Sequence, residues 1–134
     1  MSLIMQPVAG DWNGDGKSEI GAFENGTWYL DANGNGVWDG GDLLVYFGNA
    51  QMIPVAGDWN GDGKNEVGAY EKGVWYLDAN GNGKWDSVAA GDKSLKFGTD
   101  SMLPIAGDWN GDGRTEIGTF ENGKWYMDKD GNGQ

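Results

Sequence analysis

The sequence predicts an all-β chain built from three copies of one unit, the third incomplete. Three observations carry this. A ten-residue motif with its flanks recurs three times along the chain. Short runs rich in aromatic and β-branched residues are separated by Asn-Gly and Asp-Gly turns, the punctuation of hairpins. No run shows the 3.6-residue apolar period of a helix.

The repeat decides the fold, because a recurring unit of this length is one supersecondary block that packs on its copies. Pro7-Val8-Ala9-Gly10-Asp11-Trp12-Asn13-Gly14-Asp15-Gly16 recurs from Pro54 and again from Pro104, where Ile105 replaces Val. The starts are 47 and 50 residues apart, and the extra residues fall at 87–91, where the first copy has only Gly40-Gly41. An insertion confined to one point marks a loop. The divisions are residues 7–53, 54–103 and 104–134, preceded by a leader at 1–6. Met1-Ser2-Leu3 reads as a start added for expression, and no signal peptide is evident.

Within a unit the first strand is expected at residues 8–12 and the second at 20–24. Asn25-Gly26 then supplies a type I′ hairpin turn, which needs positive φ at both central residues. Asn122-Gly123 repeats it, and Lys72-Gly73 fills the same place less ideally. The third strand follows at 27–30, with Trp28 and Leu30 on one face and Thr27 and Tyr29 on the other. A fourth is expected at 43–47, ending in Phe47-Gly48, which Phe97-Gly98 matches. The third copy stops before its own Phe-Gly. Four short strands in a unit of this length is the size of a β-propeller blade. A β-solenoid is the rival, with coils that are usually shorter and more regular.

Composition excludes several chemistries. The chain has 134 residues, no Cys and no His, so disulfides, thiolate zinc sites, cysteine nucleophiles and histidine acid/base chemistry are out. The formal charge of −12 opposes binding to nucleic acid or an anionic membrane surface. No apolar run is long enough for a membrane-spanning helix. Leu, Ile, Val and Phe are sparse, which with high charge usually reads as disorder, but eight Trp and five Tyr supply large burial terms.

The acids are not scattered. Asp11, Asn13, Asp15 and Glu19 stand at positions 1, 3, 5 and 9 of a loop with Gly16 at position 6. Asp58, Asn60, Asp62 and Glu66 repeat this, as do Asp108, Asn110, Asp112 and Glu116. This is the first part of a calcium loop: alternate side chains of a tight turn converge, and glycine permits the bend. The carbonyl at position 7 would come from Lys17, Lys64 or Arg114.

A second loop has the same spacing. Asp31, Asn33, Asn35, Val37 and Asp39 occupy positions 1, 3, 5, 7 and 9, and Asp42 position 12. Asp78, Asn80, Asn82, Lys84 and Asp86 match, with Asp92 three residues beyond the position of Asp42. The third copy has Asp128, Asp130 and Asn132. Strands rather than helices flank these loops, so they are not EF-hands. Together the loops hold 17 of the 21 acids, where a merely solvated surface would spread them. Three to five Ca²⁺ are expected, and five would bring the charge from −12 to −2. Oxygen-only ligands in a flexible loop favour Ca²⁺ over transition metals, with Mg²⁺ a poorer fit. The bland alternative is that these Asn-Gly and Asp-Gly runs are turns and nothing more.

The unit, from Phe-Gly through Gly-Asp-x-Asn-Gly-Asp-Gly to Ile-Gly, resembles the FG-GAP repeat, the integrin α-type, VCBS-like family, over nearly the whole chain. The resemblance implies propeller blades with calcium held between a blade's first two strands, by Asp11, Asn13, Asp15, Glu19 and their equivalents. This sequence departs in having Glu at position 9, Trp within the loop, and the second acidic loop. The family is mostly extracellular or cell-surface and serves adhesion or ligand binding, which sets the expectation for function and location.

Three functions can be set against this pattern. The first is a calcium-stabilised binding or structural module, its protein or glycan ligand unspecified. The second is a lectin-like propeller stacking sugars on Trp12, Trp59 and Trp109, or on Trp38 and Trp85; one Trp per repeat at fixed register equally suits packing between blades. The third, a glycosidase with paired acids, is disfavoured, because the acids outside the loops are only Glu24, Glu71, Glu121 and Asp100, three of them repeat-equivalent. No enzyme activity is therefore expected. Because three blades do not close a ring, a homodimer completing a six-bladed one is the expected assembly.

Overall fold

The computed structural model describes residues 5–133. Of the leader, residues 1–4 lie outside that range, as does Gln134 of the third repeat. The fold is all-β, with no α-helix among the described residues and one 3₁₀ turn, Val88–Ala90.

Three antiparallel meanders follow one another, each from one repeat. The first is β1 (Gln6–Gly10), β2 (Glu19–Glu24), β3 (Thr27–Leu30) and β4 (Leu43–Tyr46). The second is β5 (Ile53–Gly57), β6 (Glu66–Glu71), β7 (Val74–Leu77) and β8 (Lys93–Lys96). The third has three strands, β9 (Leu103–Gly107), β10 (Glu116–Glu121) and β11 (Lys124–Met127). The register repeats too: Gly10 pairs Glu19, Gly57 pairs Glu66 and Gly107 pairs Glu116.

The expected strands are found with one systematic shift. The first strand begins and ends earlier than residues 8–12, because Asp11 opens the acidic loop and Trp12 folds back into the core. Trp12 donates its indole N–H to Ile20 O at 3.2 Å, and Trp59 and Trp109 do the same to Val67 O and Ile117 O. The hairpin turns are as read. Asn25 and Gly26 have φ of 51° and 83°, and Lys72, a poor residue for this region, is held at 50°.

The sheets stack through two equivalent cores. Trp12, Phe23, Trp28, Leu30 and Phe47 of the first sheet pack against Val67 and Ala69 of the second. Val55, Trp59, Tyr70, Trp75 and Leu77 of the second then pack against Ile117 of the third. Each sheet thus gives a broad aromatic face forward and takes a small-residue face from its neighbour. Trp28 and Trp75 are fully buried and donate to Phe47 O and Phe97 O. The first strands of successive sheets, β1, β5 and β9, lie side by side. The two end faces stay open: Ile20 on the first sheet and Trp125, Tyr126 and Met127 on the third are exposed.

Candidate metal centre

The acidic loops lie at the turn between the first and second strands of each sheet, which places all three on the same end of the stack. Asp11 organises the first of them. Its Oδ1 accepts the N–H groups of Gly14 and Asp15, at 2.8 and 3.1 Å, and its Oδ2 that of Gly16 at 2.9 Å. Asn13 Oδ1 accepts Asp15 N–H, and Asp15 Oδ1 accepts Lys17 N–H. Glu19, at the start of β2, reaches back to accept Trp12 N–H at 3.0 Å. Asp58 and Asp108 organise their loops by the same bonds, and Lys64 and Arg114 are held as Lys17 is. Gly16, Gly63 and Gly113 sit at φ near +90° with open space where a Cβ would be, so backbone conformation rather than crowding demands glycine there.

The result is a triad of carboxylates in each repeat: Asp11, Asp15 and Glu19; Asp58, Asp62 and Glu66; Asp108, Asp112 and Glu116. Each residue contributes one oxygen, and the three lie within 4.8 Å of one another, close enough to hold a metal ion. The Glu is the buried member in every case, at 6% exposure. Burial raises its pKa in all three, with the neighbouring Asp charges adding to the shift and the tryptophan N–H opposing it. Glu66 reaches about 8. Asp62 and Asp108 are shifted down, chiefly by backbone N–H groups of their own loops. Three carboxyls in one small space, one with its charge strongly disfavoured, is the electrostatic situation that a divalent cation relieves.

Two further sets of contacts had no counterpart in the sequence reading. Asn13 Nδ2 donates to Ala32 O at 2.8 Å, which ties the first acidic loop to the second; Asn60 to Ala79 O and Asn110 to Lys129 O repeat this at 2.8 Å. An aspartate at position 3 would lack that donor. Successive repeats are also tied: Asp11 and Asn65 exchange two bonds, Asp11 N–H to Asn65 Oδ1 and Asn65 N–H to Asp11 O. Asp58 and Thr115 do likewise. The only sequence signal was that Ser18, Asn65 and Thr115 all carry a side-chain oxygen at position 8.

The second loops lie between the third and fourth strands. Asp31, Asn33, Asn35, Val37, Asp39 and Asp42 are brought into one loop, as are Asp78, Asn80, Asn82, Lys84, Asp86 and Asp92. Asn33 and Asn35 both donate to Asp39, and Asn80 and Asn82 to Asp86. The three-residue insertion is absorbed by the 3₁₀ turn, which returns Asp92 to the place of Asp42: each accepts, at 2.8 Å, the N–H of the position-9 aspartate, Asp39 or Asp86. Asp128 is buried, and Asp130 and Asn132 lie beside it in the third repeat.

Trp12 and Trp59 are buried and point into the cores, so they offer no ring face to a sugar. Trp38 and Trp85 are 55% and 42% exposed, each edge-on to a tyrosine, Tyr29 or Tyr76. Comparison with known proteins finds no matching family model, curated protein or solved structure.

Proposed function

We propose that the chain is a calcium-binding repeat module, a run of β-propeller-type blades from a secreted or cell-surface protein with a binding, adhesive or structural role. The observation that carries the calcium reading is the threefold recurrence of one carboxylate triad on one end of the stack. Each triad is framed by an asparagine and an oxygen-rich turn, which suits a hard cation. The blade reading is supported by three consecutive meanders whose first strands lie side by side and whose faces pack large on small. Calcium would be held by Asp11, Asn13, Asp15 and Glu19 and their equivalents, neutralising the buried carboxyls and fixing the loops. The role is binding rather than catalysis: the acids recur in every repeat, where a single reaction centre would set one apart.

The test is a calorimetric calcium titration of the whole chain and of Asp15→Ala, Asp62→Ala and Asp112→Ala. Each substitution should remove one bound ion and leave the others titrating. A stoichiometry indifferent to all three would defeat the reading.

A further inference from the structure

We propose that each of the first two repeats carries a second divalent-cation site, in the loop between its third and fourth strands, closed by two carboxylates: Asp31 with Asp42, and Asp78 with Asp92. It draws on the function proposed above only for the choice of calcium; its residues are separate from the triads.

The observation that points to a ligand is a set of buried oxygens with nothing to bind. Asp31 is 8% exposed and Asp78 2%. Each uses Oδ2 to accept a loop N–H, from Gly36 at 2.8 Å and from Gly83 at 2.7 Å. Their Oδ1 atoms, and Asp42 Oδ1, are buried with no hydrogen-bond partner among the described residues. A buried carboxylate oxygen left without a donor is costly, and such groups are normally paired, protonated or metal-bound.

The two carboxylates of each pair share one space. Asp31 and Asp42 line the same groove, together with Gly36 and Val37. In the second repeat Asp78 and Asp92, each 2% exposed, close one loop: Asp78 accepts Gly83 N–H and Asp92 accepts Asp86 N–H. The geometry is kept across an insertion. Ser87 and Gly91 take φ of 95° and 118° around the 3₁₀ turn, which carries the extra residues outward and leaves Asp92 immediately before β8, as Asp42 stands immediately before β4.

The donor set completes the argument. Positions 1, 3, 5, 7, 9 and the closing acid offer oxygens from Asp31, Asn33, Asn35, Val37, Asp39 and Asp42, which is the number Ca²⁺ requires. Asn33 and Asn35 donate their amides to Asp39, while their Oδ1 atoms face into the loop and accept Asn35 N–H and Val37 N–H.

Native mass spectrometry of the whole chain in calcium tests this. The wild type should hold five ions, and Asp42→Asn/Asp92→Asn three. Should that variant fail to fold, Asp15→Asn/Asp62→Asn/Asp112→Asn supplies the complementary count and should retain two. A wild type holding three ions or none, or a count unchanged by the Asp42 and Asp92 substitutions, overturns the proposal. If the triads alone fail to bind, the wild type holds two ions and loses both on changing Asp42 and Asp92.

Discussion

Replacing Glu66 by glutamine should flatten the pH dependence of stability in the metal-free protein. Glu66 is buried beside Asp62 and Asp58, and its carboxyl is pushed up to about 8 from an ordinary 4.5. Between those values the folded protein holds a proton that the unfolded chain has released. Stability therefore falls as pH rises through that window, and below it the two states are protonated alike. Each unit of pKa is worth about 1.4 kcal/mol; with allowance for partial solvent screening, the loss from pH 4.5 to 8 is about 2–4 kcal/mol. Glutamine keeps the Oε1 that accepts Trp59 N–H at 2.9 Å and has no charge to bury. In chelator, chemical denaturation at pH 5 should find the two proteins nearly alike, and at pH 8 the variant more stable. In excess calcium the order at pH 8 should invert, because the cation prefers the carboxylate. Parallel pH profiles for the two proteins in chelator would refute the reasoning.

Other outcomes follow from the same geometry. Lys72 sits at φ 50° in a turn that favours Asn, so Lys72→Asn should stabilise by about 0.5–1 kcal/mol, read from the denaturation midpoint. Thr119 is fully buried, its hydroxyl has no partner among the described residues, and alanine occupies its place in the second repeat. Thr119→Val keeps its shape and should gain about 1–2 kcal/mol in the same assay. The open faces bearing Ile20 and Trp125 should drive association, so light scattering at rising concentration should move from 14.4 kDa toward twice that mass. Trp125→Lys should hold the chain at the lower mass.

Much of this was legible in the sequence because its signals are local. Gly16 and its equivalents fix a bend, Asp at positions 1 and 5 fixes what the bend converges on, and Asn25-Gly26 fixes the hairpin that follows. Trp28 and Leu30 were placed on one strand face by the two-residue period, and that face is the buried one. The limits were equally physical. Nothing local says that the first strand stops at Gly10; it does so because Asp11 Oδ1 and Oδ2 capture the next backbone N–H groups, which then cannot join a ladder. The ties from Asn13 to Ala32 and from Asn65 to Asp11 span repeat and loop boundaries, where sequence separation hides proximity. The spacing left Asp92 outside the ideal loop, and only the path of the 3₁₀ turn shows that it stands where Asp42 does.

Thermal unfolding of the intact chain in calcium and in EDTA tests the central claim most directly. Cation held only by the folded triads stabilises by about 2.7 kcal/mol per site at a hundredfold excess over the dissociation constant. Three triads should therefore raise the melting temperature in calcium by well over ten degrees, about 3 °C for each kcal/mol in a chain of this size. Superimposable melting curves in calcium and EDTA would contradict the account.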